Sequence, residues 1–176
     1  MITQSLIIGA GSIAAIVAAT FALPSSSVVT RSRVVAARPD AIFALLKSSA
    51  DFQRFNPYKD TDPNLAISLF GPDQGIGSGF AFRGKEGSGT QTIVALEPDR
   101  SATMQIDMGF IGKPVLTLKL QPQAGGTEVT RTEVTWQMES HFGFNPMGRV
   151  FGLFLEKMLG PIAERGLANL ARAVGG

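Results

Sequence analysis

The sequence contains no cysteine. That excludes disulfides, thiolate metal sites and a cysteine nucleophile, and it leaves the redox compartment open. A lone histidine, His141, rules out a multi-histidine metal site. Charge is scarce as well. Asp, Glu, Lys and Arg supply 17% of the residues, against about 25% in an ordinary soluble domain, so part of the chain is expected not to face water. A formal charge of +2 offers no basic field for nucleic acid. The 176 residues suffice for one domain with a short appendage.

The scarcity of charge is sharpest at the start. No charged side chain precedes Arg31, and the run from Ile2 to Leu23 is almost wholly apolar until Pro24 and Ser25 to Ser27 end it. A helix of that length, at about 1.5 Å per residue, spans the roughly 30 Å hydrocarbon layer of a bilayer. A cleaved signal peptide normally has a positive first region, which is missing here, and the Ala/Thr cluster before Ala22 is a loose cleavage site. A buried helix of a soluble domain is the third reading. The expectation is a retained single-pass transmembrane anchor (or signal peptide) over 1–24. A linker and the start of the first strand follow over 25–30, then one domain over 31–176. Gly9-Ala10-Gly11-Ser12-Ile13-Ala14 mimics a dinucleotide-binding fingerprint, but the position about 20 residues on holds Arg31 and Arg33 rather than an acid. Small residues in a membrane helix more often permit close helix packing.

Val28 to Ala37 is β-branched and suits a strand. Arg38-Pro39-Asp40 then starts a helix with Pro in the first turn and an acid at the positive end of the dipole. A short second helix is expected over Ala50 to Phe55, stopped by Asn56-Pro57. From Leu65 to His141 the apolar period is two: Leu65/Ile67/Leu69, Phe80/Phe82, Met104/Ile106/Met108/Phe110, Leu116/Leu118/Leu120 and Val134/Trp136/Met138. Turn signals at Gly71-Pro72-Asp73, Gly84 to Gly89, Pro98-Asp99, Gly112 to Pro114 and Gly125-Gly126 separate the runs, which makes an antiparallel meander with one buried face. After Asn145-Pro146 the period becomes about 3.6. Val150, Phe151, Phe154, Met158, Ile162, Leu167, Leu170 and Val174 read as one stripe of a long helix, with a kink expected at Gly160-Pro161. Strand, two short helices, about six strands and a closing helix describe a sheet wrapped around a helix.

That order of elements resembles the SRPBCC (START-like) superfamily, specifically its polyketide cyclase/dehydrase and lipid-transport branch. Arg33 to Phe43 is similar to the family's opening strand and helix. Phe52-Gln53-Arg54-Phe55-Asn56-Pro57 resembles its aromatic-x-x-aromatic-[Ser/Asn]-Pro element, and Gly75 to Gly79 its Gly-rich lead into the third strand. Gly126-Thr127 through Val134-Thr135-Trp136 resembles its G-T-x-V-T-W strand with extra residues inserted, and Leu159 to Leu170 its last helix. The likeness covers roughly Val28 to Val174. It implies an α+β helix-grip fold, here preceded by one transmembrane helix. Phe52, Phe55 and Phe82 stand where the family often has Trp, which keeps the site aromatic but weakens transfer of ligand specificity.

On composition, Met104, Met108, Met138 and Met158 with Phe80, Phe82, Phe110, Trp136, Phe151 and Phe154 read as a plain hydrophobic core. The resemblance to cavity-bearing proteins turns the same residues into expected cavity lining, where flexible Met side chains tolerate variable ligands. Arg54 and Tyr58 are expected at the cavity mouth. Alternation puts Glu133 and Glu139 opposite Trp136, Asp107 opposite Ile106 and Met108, and Arg83 away from Phe82, so all four should face solvent. His141, at the end of the last strand, is a weak general-base candidate. Gly77-Ser78-Gly79 lacks the spacing of a nucleophile elbow. The sequence identifies no catalytic residue and leaves open whether the chain is an enzyme; no metal or cofactor is expected.

The leading functional expectation is membrane-tethered binding of a hydrophobic small molecule or lipid in an internal cavity, with no nucleic acid partner. A polyketide cyclase/dehydrase-like enzyme and a ligand-free structural or interaction module are the alternatives. Arg31, Arg33 and Arg38 follow the anchor with only Asp40 among them, so the positive-inside tendency favours a domain on the cytoplasmic face.

Overall fold

Strand β1, Ser26–Val35, lies antiparallel on the last strand, β7, Arg131–His141, with Ser26 opposite His141 and Val35 opposite Thr132. The computed structural model describes residues 18–85, 87–123 and 131–175. Between the two strands come helix α1, Pro39–Leu46, helix α2, Ser49–Phe52, and a 3₁₀ turn, Pro57–Asp60. Strands β2, Ala66–Phe70, β3, Gly79–Gly84, β4, Gly87–Glu97, β5, Ser101–Asp107, and β6, Val115–Gln123, follow. The seven strands form one antiparallel sheet in the order β1-β7-β6-β5-β4-β3-β2, and the long helix α3, Pro146–Gly175, closes the chain. The expected meander and closing helix are thus present, and α3 runs uninterrupted through Pro161.

Local chemistry explains the boundaries. Pro39 sits in the first turn of α1, and the C-cap Lys47 N–H donates to the Phe43 carbonyl. The Ser48 hydroxyl caps α2 by accepting from the Asp51 N–H. Asn56 does the same for the 3₁₀ turn, accepting from the Tyr58 N–H. Helix α2 is one turn, shorter than Ala50 to Phe55, because the chain is recaptured by Asn56. The expected turn over Gly84 to Gly89 is tighter than its glycines suggest. Gly84 already pairs with Gly87, and Gly89 lies inside β4. A Cβ on Gly89 would stand 2.4 Å from the Asp107 carbonyl oxygen, so that glycine serves close strand approach rather than a turn.

Burial alternates along the sheet as the period of two requires. Thr132, Val134, Trp136 and Met138 are buried in β7, with Ala102, Met104 and Ile106 in β5 and Leu116, Leu118 and Leu120 in β6. These side chains meet Ile42, Leu45 and Leu46 of α1, Phe52 of α2, Phe55, and Ala163, Leu167 and Leu170 of α3 in one core. Among the described residues no helix is long and apolar enough to cross a membrane. The anchor expected over 1–24 falls largely on residues 1–17, outside the described residues, as does the expected turn at Gly125-Gly126.

Candidate functional site

A cavity of about 70 Å³ opens beneath the segment that links α2 to β2. Its floor is strands β3 to β5, through Phe80, Phe82, Gln91 and Ile106, with Met108 just beyond β5. Its roof is Phe52, Asn56, Tyr58, Asp62 and Leu65. Trp136, Phe52, Phe80 and Phe82 form a chain of rings leading toward it, with centroids 6.5, 5.7 and 6.3 Å apart in that order. Phe52 also meets Phe55 edge-on at 4.6 Å, which fixes the roof on the core.

Four polar side chains interrupt the apolar wall. Asp62, 4% exposed, accepts from the Lys85 N–H at 2.7 Å and from the Asn64 N–H at 3.1 Å. Its carboxylate fits because Gly84 has no Cβ: one would lie 2.4 Å from Asp62 Oδ2. The buried Asn56 amide donates to Gln53 Oε1 at 2.9 Å, and Gln91 donates to Met104 Sδ at 3.3 Å. Tyr58 is half-buried at the wall. Among the described residues every buried side-chain nitrogen and oxygen has a partner, so the roof is held in place by its own bonds. Also among the described residues, no three His, Asp or Glu side chains gather as metal ligands do.

The expected lining is brought together only in part. Phe80, Phe82 and Met108 line the cavity, and Tyr58, expected at a cavity mouth, stands on its wall. Met104, Trp136 and Met138 are buried but fill the core instead, each at most 6% exposed. Phe151, Phe154 and Met158 are corrected most sharply. They lie on the outer side of α3, 45%, 56% and 46% exposed, and none of them lines the cavity under the α2–β2 segment. Phe110 falls in the 3₁₀ turn Gly109–Ile111, and its side chain lies outside the described set. Arg54 is separate from the cavity. It donates to the Ala173 carbonyl at 3.0 Å in an open polar cleft with Asp60, Asn169 and Arg172. Asn56, Asp62 and Gln91 line the cavity without having been expected there.

The solvent-facing groups behave as alternation requires. Asp107 pairs with Lys113 at 2.7 Å and also accepts from the Gly109 N–H, which together hold its carboxyl below the usual carboxylate range. Arg83 is exposed, and His141 is exposed beside Glu139 at 3.3 Å.

Residues 27–175 match the model of the family described as polyketide cyclase / dehydrase and lipid transport. No curated protein matches the chain. Solved structures share its fold at low identity. Norcoclaurine synthase from Thalictrum flavum, in complex with dopamine and hydroxybenzaldehyde, is 17% identical with a TM-score of 0.59 over 85% of this chain and 84% of that one. A protein from Thermobifida fusca, solved by NMR, is 18% identical with a TM-score of 0.62 over 84% and 93%. The di-domain ARO/CYC protein StfQ of the steffimycin biosynthetic pathway is 11% identical with a TM-score of 0.60, and the likeness covers 85% of this chain and 51% of that one.

Proposed function

The chain belongs to the polyketide cyclase / dehydrase and lipid transport family, and from that premise we propose that it binds a small hydrophobic molecule, aromatic or lipid-like, in the cavity beneath the α2–β2 segment. The observation that carries this reading is the wall itself. Phe80, Phe82, Leu65, Ile106 and Met108 supply apolar surface, and Tyr58, Asn56, Asp62 and Gln91 give a few polar groups for orientation. The same fold in norcoclaurine synthase accepts dopamine and hydroxybenzaldehyde, which supports an aromatic-sized guest. The cavity measures about 70 Å³, whereas ligand pockets run roughly 300–1,000 Å³. Binding of such a guest therefore requires the cavity to widen, and the Asp62–Lys85 and Asp60–Asn169 bonds of segment 57–65 must open for it.

A cyclase-like activity is the second reading. It is favoured by Asp62, a buried carboxylate on the cavity wall. The uncharged run from Ile2 to Leu23 supports a membrane tether, and the arginines after it support a domain on the cytoplasmic face.

Methyl NMR tests the binding reading directly. With methionine methyls labelled in the full chain in lipid nanodiscs, hydroxybenzaldehyde or a short fatty acid should shift the Met108 signal saturably and leave Met138, buried in the core away from the cavity, unmoved. Shifts confined to Met147 and Met158 mean surface adsorption and defeat the cavity as the site.

A further inference from the structure

The first half of α3 is apolar on two sides. One side, with Leu155 and the half-buried Leu159, faces the domain. Met147, Phe151, Phe154 and Met158 lie on the adjoining outer side, within an arc of about 60° at 100° per residue. Met147 is 76% exposed, and Phe144, just before the helix, is 86% exposed. The stripe from Met147 to Met158 is about 16 Å long. Both acids of α3 turn elsewhere: Glu156 and Glu164 grip Arg31 at 2.7 and 2.8 Å. The exposed Lys157 flanks the stripe.

The end of the N-terminal apolar run is fastened to this end of α3. Arg149, buried in the first turns of the helix, donates to the Phe21 and Leu23 carbonyls at 2.9 and 3.0 Å, and its guanidinium lies 5.2 Å over the Phe21 ring. The Phe21 ring is 6.4 Å from that of Phe144. Only Pro24 and Ser25 separate Leu23 from β1, a reach of roughly 7 Å when extended. Under the tether proposed above, a domain fastened this closely to the end of the apolar run cannot stand away from the bilayer.

We infer that the stripe of Met147, Phe151, Phe154 and Met158 is a second membrane contact, lying in the lipid interface beside the point where the N-terminal run meets the domain. The inference rests on the tether proposed above. A helix lying in the interface buries such a stripe among headgroups and upper acyl chains while cations beside it meet lipid phosphates. The surface thereby fixes the orientation of the domain on the bilayer.

The absence of cysteine makes the test clean. Phe154→Cys alters an exposed side chain, and the thiol takes an environment-sensitive fluorophore without competition. The full chain is reconstituted in phosphatidylcholine–phosphatidylglycerol vesicles, with Ser88→Cys, exposed on β4, as the reference. Nitroxide lipids should quench the label at 154 several-fold more than the label at 88, and aqueous iodide should do the reverse. Equal, weak nitroxide quenching at both positions in protein that survives an alkaline wash overturns the membrane contact and spares the tether. Loss of iodide access at 154 without nitroxide quenching also overturns it, because a second copy or residues 2–17 then cover the stripe. Protein stripped from the vesicles by the wash overturns the tether, and this surface with it.

Discussion

Asp62 shows how much a single side chain can do at this cavity. Its two oxygens hold the Asn64 and Lys85 amides, one near in sequence and one across the hairpin, and so tie the roof to the end of β3. Asp62→Ala leaves both amides without their acceptor and should cost about 1–3 kcal/mol in urea denaturation. Asp62→Asn keeps one acceptor oxygen but turns an NH2 donor toward the other amide, so it should cost a comparable amount. If the cyclase-like reading holds, Asp62→Asn abolishes turnover under conditions where the variant is still folded, whereas unchanged turnover assigns the residue to architecture alone. The residue was half legible. Asp62-Pro63-Asn64 reads as a turn in which the Asp accepts from the amide two residues on. Its reach to Lys85 depends on tertiary placement and on the missing Cβ of Gly84, neither of which leaves a local pattern.

At the scale of the element, α3 was legible in existence and extent but not in orientation. Val150, Phe151, Phe154, Met158, Ile162, Leu167, Leu170 and Val174 are all apolar, yet they do not share a face. The step from Ile162 to Leu167 is five residues, which turns the stripe by about 140° around the helix. The residues before that step therefore point outward and those after it enter the core, with Gly166 against Trp136. A Cβ at 166 would lie 2.6 Å from Trp136 Cζ3. Gly166→Ala should overpack this contact and cost about 1–3 kcal/mol. Trp136→Ala should cost the full core value of about 3–5 kcal/mol, since its ring is buried away from the cavity. The double variant should cost less than the sum, because the new methyl occupies space the indole vacated. Strict additivity in chemical denaturation would show that the two residues do not press on one another.

For the whole molecule, the meander was readable because a period of two fixes which face of each strand is buried, and neighbouring strands in the chain mostly pair. The cavity was not, since a gap depends on how far the α2–β2 segment stands off the sheet. Under the proposed membrane tether, orientation belongs to this same scale and is decided earlier than folding. In the folded domain Arg31 is neutralised by Glu156 and Glu164, and Arg38 by Asp40. Neither Glu is near Arg31 in the nascent chain, more than a hundred residues before α3 is made. Acids contribute little to the positive-inside rule in any case. The unfolded flank after Leu23 thus presents Arg31, Arg33 and Arg38 as three retained charges, against a tail without charged side chains. Under the membrane tether proposed above, the rule predicts a domain on the cytoplasmic face. A cytoplasmic reporter fused to Gly176 should be active and an exported phosphatase fused there silent. Changing the three arginines to Gln should raise the exported signal, because the flank then carries no cation to retain it. An active phosphatase on the unaltered chain would put the domain on the other side, and a mature chain beginning near Pro24 would remove the anchor altogether.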